Sequence, residues 1–386
     1  MAKKKATDSE PRKTRGAFAN LVRCTVLLLD IILVAALIVT AYAGNISPLQ
    51  HGGYWGILPL GFPILLTASV LILALHLLWL RAGAVIQAIG LLVCAGPALA
   101  VCPLHILDPE VPAGAETFTL MSYNAHQFVP PHRNTVIDTL HNGALEYIHA
   151  TDADIVCLQE ASSVSAIMPG RLTPSQVRSL HKRYPHILSN GDELVVLSKY
   201  PLESVHLDSN STFKGGSASC CRVTLPSGRR FTLFNIHLQS MMLSEEDKES
   251  YLELTKGETN ELGPTARILR KVSNAAVQRV RETQQLLRYI RLYGGPDVII
   301  TGDFNDVPGC YAIRTLADTG FKSAYPEVGF GPMATFNDSR LYFCLDHTLF
   351  RGALRPVSMK RGSLRASDHF PITTRFYLLP PNTPVE

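Results

Sequence analysis

Apolar and polar positions alternate on two different scales along this chain. Residues 24–43 carry one charge, Asp30, and residues 55–80 and 84–107 carry none. Each run is near or above the roughly 20 apolar residues that span a bilayer. The pattern predicts three transmembrane helices within residues 21–107. A cleaved signal peptide would show a shorter apolar stretch, with no second or third one after it. Beyond residue 116 the pattern changes to short apolar runs that end in polar residues. Runs at 118–123, 154–158, 194–197, 221–225, 231–236 and 298–301 read as strands. Apolar residues three and four apart predict helices over 136–149 and 264–292. Several strands follow one another without a helix between them, which excludes a single parallel sheet. The expected fold class is α/β: a two-sheet β-sandwich flanked by helices, in four α/β/β/α layers.

These breaks give the domain organisation. Residues 1–20 are a basic tail, 21–107 the three spans, and 108–116 a tether containing Pro109 and Pro112. Residues 117–386 form the globular domain. Within it, 239–263 is an acidic insertion carrying Glu245, Glu246, Asp247 and Glu249. There is no internal repeat and no glycine-rich phosphate loop.

Charge adds orientation and narrows the partners. Only 18% of residues are charged, against about 25% in an ordinary soluble protein, and the deficit lies in the apolar runs. Lys3, Lys4, Lys5, Arg12, Lys13, Arg15 and Arg23 precede the first span, and Arg81 lies between the second and third. The positive-inside rule puts both in the cytoplasm. Three spans then place the domain outside, in the periplasm of a two-membrane cell. Eight of the 36 basic and five of the 32 acidic residues precede Glu116, leaving 28 and 27 in the domain. That near-neutral balance differs from the basic excess of proteins that grip duplex DNA non-specifically. Arg267, Arg270, Lys271, Arg279, Arg281, Arg288 and Arg291 read as the solvated face of an amphipathic helix. Asp30 is an ionisable group inside a span, paired with Arg23 or bonded across to another helix. Of the eight cysteines none forms a CxxC pair, which argues against a structural zinc site. Cys157 reads as a buried small hydrophobe, and an oxidising compartment would permit a disulfide without naming its partners.

The chemistry is carried by five short segments, each closing a run that reads as a strand. They are Ser122-Tyr123-Asn124, Leu158-Gln159-Glu160, Asn235-Ile236-His237, Gly302-Asp303-Phe304-Asn305 and Ser367-Asp368-His369. Glu160, after Gln159, ends the apolar run Ile155-Val156-Cys157-Leu158, and a lone Glu is seldom buried unpaired. Asp303 and Asn305 fall on one side of an extended segment. Gly302 lets the backbone approach closely there. Supporting pieces are Ser198-Lys199-Tyr200-Pro201, Gly329-Phe330-Gly331 with Thr335-Phe336, and Leu345-Asp346-His347.

In this order the segments resemble the endonuclease/exonuclease/phosphatase superfamily, whose fold is DNase I-like. The resemblance runs from about residue 117 to the end. It implies a divalent ion, Mg²⁺ or Mn²⁺, held by Asn124, Glu160 and Asp368. It implies that Asp303 deprotonates the attacking water with help from Asn305. It further implies that His237 and His369 contact phosphoryl oxygens, with Asp346 orienting His369. Apurinic endonucleases carry Asp two residues after the first Asn, where this chain has His126.

The expected activity is phosphodiester hydrolysis by an activated water, on a nucleic acid or a phospholipid-type headgroup. The alternatives are a phosphomonoesterase of the same superfamily and a non-catalytic envelope protein that kept the fold. The lipid bilayer and the phosphate-ester substrate are the expected partners, with no obligate protein partner. Loops 239–263 and 329–335 are the expected seat of specificity.

Overall fold

The computed structural model describes residues 10–129, 142–165, 172–189, 193–208, 213, 216–256, 262–338 and 341–380. The basic residues at positions 3–5 and the first half of the helix expected over 136–149 lie outside the described residues. The chain divides into two compact units, one of residues 1–42 and 60–98, the other of 43–59 and 99–386.

In the first unit two helices are long and apolar enough to cross a membrane, over Ala17–Asn45 and Leu58–Trp79. The third expected span is not one helix. It is Arg81–Val93 followed by Ala95–Val101, bent by 70°. Pro97 explains the break, because it lacks an N–H and its ring crowds the carbonyl four residues back, at Val93. Asp30 bonds across helices rather than to Arg23. Its carboxylate accepts from Gln87 Nε2 at 2.9 Å and lies 2.9 Å from His76 Nε2.

The second unit is built on fourteen strands among the described residues. They are β1 (Thr117–Asn124), β2 (Ile155–Gln159), β3 (His186–Ser189), β4 (Val195–Ser198), β5 (Leu202–Val205), β6 (Ser217–Thr224) and β7 (Arg230–His237). Then come β8 (Val298–Asp303), β9 (Lys322–Ser323), β10 (Phe336–Asp338), β11 (Leu341–Phe343), β12 (Asp346–Arg351), β13 (Leu354–Arg361) and β14 (Ile372–Leu378). One six-stranded sheet runs β13-β14-β1-β2-β4-β3, and a second runs β5-β6-β7-β8-β12-β9. β10 and β11 form a separate two-stranded ribbon.

Both sheets are mixed. β1 is parallel to β2 and antiparallel to β14; β7 is parallel to β8, which is antiparallel to β12. Phe118, Leu120, Cys157, Val196, Leu233, Ile299, Phe350 and Phe376 fill the space between the sheets. Burial on both faces explains why β1, β2, β7 and β8 read as nearly continuous apolar runs. The outer face of the first sheet packs with Ala144, Leu145 and Ile148 of helix Gly143–Thr151 and Leu180 of helix Pro174–Arg183. The outer face of the second packs with Leu286 and Tyr289 of helix Leu262–Tyr289 and with Leu316 of helix Tyr311–Ala317. The result is the four-layer α/β/β/α arrangement expected of a DNase I-like fold.

Two further features belong to this unit. The segment Ala43–Pro59 packs on it: a Cβ on Gly44 would lie 1.9 Å from Gly309 O, and one on Gly56 would lie 2.4 Å from the Ala276 Cβ. The basic helix is only partly a solvated face. Arg279 is buried, donating to Asp306 Oδ2 at 3.1 Å and to Gln239 O at 3.1 Å. Arg267 and Lys271 pair with Asp247 of helix Glu245–Lys256, so the acidic insertion neutralises part of the basic face. Cys157 is buried, and all eight cysteines are free thiols.

Candidate active site

The registers of the second sheet bring three site residues side by side. His237 is the Cα partner of Asp303 across β7 and β8, and Asp346 is the partner of Asp303 across β8 and β12. Two opposed carboxylates are unfavourable. His369, from the segment before β14, relieves the clash by sitting between them. Its Nδ1 lies 2.8 Å from Asp346 Oδ2 and its Nε2 lies 3.4 Å from Asp303 Oδ2. The backbone N–H groups of Leu345 and Asp346 both donate to Thr335 Oγ1, which fixes the start of β12. Phe336 packs edge-on against His369 with ring centroids 5.0 Å apart.

The first sheet supplies the other side. β1 and β2 are adjacent and parallel, so their ends lie together. Asn124 Nδ2 donates to Glu160 Oε1 at 3.0 Å and to Asp303 Oδ2 at 3.1 Å, linking the two sheets. Its Oδ1 accepts the His126 N–H at 3.1 Å. Ser367 Oγ donates to Asn124 O, which ties the Asp368-His369 segment to the end of β1. Glu160 turns out of the strand with φ of 47°, a left-handed conformation that non-glycine residues adopt at a cost and mostly at functional positions.

Asp303 is held as closely. Gly302 has φ of +143°, and a Cβ there would sit 1.9 Å from Ile236 O, so only glycine fits. The Asn305 N–H donates to Asp303 Oδ1 at 2.8 Å, and Asn305 Nδ2 donates to Leu238 O. All eight residues expected from the sequence thus converge. Glu160, His237, Asp303, Asn305, Asp368 and His369 line one groove at the ends of both sheets, and Asn124 and Asp346 hydrogen-bond to them from behind. His126, Ser240, Met241, Met242, Leu243, Ser244, Lys248, Phe336, Phe343 and Leu345 complete the lining. The cleft has a volume of about 380 Å³. A larger cavity of about 450 Å³, lined by Val205, His206, Phe213 and Tyr289, lies away from these carboxylates and holds none of this chemistry.

Sequence reasoning missed Glu193. Its Oε1 lies 2.9 Å from His237 Nδ1 and accepts from Ser217 Oγ at 2.6 Å. The available signal was an acidic residue directly before the apolar run Leu194-Val195-Val196-Leu197. It also missed Gln159, which donates to Asn235 Oδ1 at 2.7 Å and joins the two sheets beneath the site.

Electrostatics follow from this packing. Burial pulls the His237 imidazole down, but the Glu193 hydrogen bond and the charges of Asp303, Glu193 and Glu160 outweigh it and raise its pKa to about 9. Burial likewise opposes protonation of His369, yet Asp346 and Asp303 hold it well above the ordinary histidine range. Burial pushes the Asp303 carboxyl up, while the positive charges of His369 and His237 pull it back. The site therefore presents protonated imidazoles beside a basic carboxylate.

The donor set also suits a cation. Glu160, Asp303 and Asp368 line the groove with Asp346 buried behind His369, and among the described residues no Lys or Arg pairs with any of the four. Asp303, Asp346 and His369 have ligand atoms within 4.8 Å of one another, but both His369 nitrogens already face carboxylates. Glu160 Oε2 and Asp368 Oδ2 are the freer oxygens, since Asp368 Oδ1 accepts from Ser367 Oγ at 3.1 Å and Glu160 Oε1 from Asn124 Nδ2 at 3.0 Å. Glu160 and Asp368, which lack the close imidazole partners of Asp303 and Asp346, are carboxylates of the kind a hard divalent ion takes.

The profile of the Endonuclease/Exonuclease/phosphatase family matches residues 121–369. No curated protein matches the chain. Among solved structures, a protein of that family from Beutenbergia cavernae is 18% identical over 68% of this chain and 72% of its own, with a TM-score of 0.45. TDP2 of D. rerio, complexed with a single-strand DNA product, is 17% identical over 68% of this chain and 99% of its own, with a TM-score of 0.44. The human Nocturnin catalytic domain with bound sulfate is 16% identical over 68% and 95%, with a TM-score of 0.42.

Proposed function

From its membership of the Endonuclease/Exonuclease/phosphatase family, which makes this chain a hydrolase of phosphate esters, we propose a divalent-metal-dependent phosphodiesterase acting outside the cytoplasm. The observation that carries the reading is the continuous chain of contacts from Glu160 through Asn124 to Asp303, His369 and Asp346. A non-catalytic relative would not need that arrangement.

Mg²⁺ or Mn²⁺, held by Glu160 and Asp368 with the remaining lone pair of Asn124 Oδ1, would supply neutralisation of phosphoryl charge. The chain's own residues do the rest. Asp303, buried and fixed through Oδ1 by the Asn305 N–H, takes the proton of a water that attacks phosphorus. The new O–P bond forms as the ester O–P bond breaks. His369, locked through Nδ1 by Asp346, presents Nε2–H to a phosphoryl oxygen or to the leaving oxygen. His237, locked by Glu193, presents its Nε2–H from the opposite strand. Asn124 keeps Glu160 and Asp303 in their relative positions.

The extracytoplasmic reading has two supports. The basic residues lie before or in the first turns of the first apolar helix, and Arg81 opens the broken pair that follows the second. The turn Ala43–Pro59 belongs to the same compact unit as the catalytic fold, so turn and domain share one side of the membrane. A chain with two crossings would separate them. The broken pair Arg81–Val93 and Ala95–Val101 therefore serves as a third crossing.

The substrate is a nucleic acid or a phospholipid-type headgroup. Membrane anchoring and the near-neutral domain favour the second. A panel with purified protein and Mg²⁺ tests this: plasmid DNA, apurinic duplex, RNA, sphingomyelin, inositol phosphates and bis-p-nitrophenyl phosphate. Hydrolysis of at least one diester that is lost in Asp303→Asn supports the reading. Activity confined to phosphomonoesters would replace it with the phosphatase alternative.

A further inference from the structure

We propose that His126 is a protein ligand of the ion assigned above to Glu160 and Asp368, and that its imidazole biases this site from Mg²⁺ toward Mn²⁺ and Zn²⁺. The inference rests on the metal reading of the preceding section.

The placement of the ring is the first argument. His126 Nδ1 lies 3.7 Å from Glu160 Oε2 and 3.6 Å from Asp368 Oδ1. Both distances exceed a hydrogen bond, and the nitrogen favours neither oxygen. Two ligand atoms bound to one ion at about 2.0–2.2 Å stand roughly 3–4 Å apart. The spacing is therefore too long for a hydrogen bond to either oxygen and right for sharing an ion. Among the described residues neither ring nitrogen has a hydrogen-bond partner, and the side chain is 40% exposed on the groove.

The backbone that carries it is the second argument. His126, Gln127 and Phe128 have φ of 45°, 54° and 60°, three consecutive left-handed residues without a glycine. Such a turn persists only where its surroundings hold it. The holders are the site residues themselves. Asn124 Oδ1 accepts the His126 N–H, Glu160 O accepts the Gln127 N–H at 2.7 Å, and Phe128 is buried in the core. The turn is thus anchored on the residues that flank the proposed ion, with His126 directed at both carboxylates.

The chemistry gives the selectivity. Mg²⁺ prefers all-oxygen surroundings, whereas imidazole is a good ligand for Zn²⁺ and for later first-row ions.

Mn²⁺ itself is the probe, added to the full chain in detergent. Pulsed electron paramagnetic resonance should show modulation from a coordinated ¹⁴N in the wild type, and that signal should vanish in His126→Ala but persist in His369→Asn. Mn²⁺ affinity should fall about 10–100-fold in His126→Ala, the scale on which losing a supporting group weakens a metal site. Mg²⁺ affinity, read by competition, should change less than about threefold because oxygen ligands dominate it. His126→Asn repeats the measurement in a residue that tolerates left-handed backbone, should the alanine variant not fold. A nitrogen signal or Mn²⁺ affinity unchanged in these variants overturns the assignment, as does an equal loss for both ions. Absence of any Mn²⁺ binding by the wild type overturns the metal reading along with it; an unchanged signal overturns His126 alone.

Discussion

The Asp346–His369–Asp303 chain makes a claim about single atoms. Asp346→Asn keeps the shape of the side chain but no longer holds His369 Nδ1–H with a charge. Turnover should fall by about 10²–10⁴-fold, the contribution of a positioned acid–base group, while the thermal midpoint stays close to wild type. Asp303→Asn should be at least as damaging, since it removes the base. Rates within a few-fold of wild type for either would separate the geometry from the chemistry. His237 gives a pH prediction. Its pKa is raised to about 9 by Glu193 and neighbouring carboxylates, from an ordinary value near 6.5. The protonated form therefore stabilises the fold fully below about pH 6.5, and this contribution is lost as pH rises through 9. Activity that needs the imidazolium should fall on that same alkaline limb. Glu193→Gln removes the first raising cause, so the limb should move to lower pH in a kcat/KM profile. An unmoved limb would remove His237 from the protonated machinery.

Strand ends were the legible part of this fold. Glu160, His237 and Asp303 close apolar runs, and a charged or ionisable residue closing such a run has few explanations other than a site. Glu193 was not legible, because it opens a strand, and its partner His237 lies 44 positions further on. Arg279 was misread for a related reason. Its helix has a sound amphipathic period, and nothing local reveals that Asp306 and the Gln239 carbonyl meet it in the interior. The third apolar run carried its own correction in Gly96-Pro97, a break that hydropathy alone does not register. Arg279→Met should cost about 3–5 kcal/mol, because it leaves Asp306 as a buried charge without its partner. Chemical denaturation of the detergent-solubilised chain reads this directly. A loss below 1 kcal/mol would mean that water reaches Asp306. Gly302→Ala should be worse tolerated than any other single methyl added at the site, since its Cβ meets a backbone carbonyl.

At the scale of the whole molecule, the α/β/β/α sandwich brings two sheets together so that their strand ends deliver one groove, and the same chain carries two helices long and apolar enough to cross a membrane. The shared unit of Ala43–Pro59 and the catalytic fold yields a topological prediction. Single cysteines placed in the 43–59 turn and on an exposed domain loop, in a chain stripped of its native thiols, should react with an impermeant maleimide from the same, outer side. One placed near Arg81 should react only after the membrane is opened. Labelling of turn and domain from opposite sides would contradict three crossings. The central claim is that these groups together hydrolyse a phosphodiester with a divalent ion, and bis-p-nitrophenyl phosphate tests it without presuming the natural substrate. The measurement is its hydrolysis by wild type and Asp303→Asn, each with Mg²⁺ or Mn²⁺ and then with excess chelator. The account predicts metal-dependent release of nitrophenol by the wild type, its loss on chelation, and a fall of at least about 10²-fold in Asp303→Asn. Equal rates in the two proteins, or wild-type turnover that survives chelation, would contradict it.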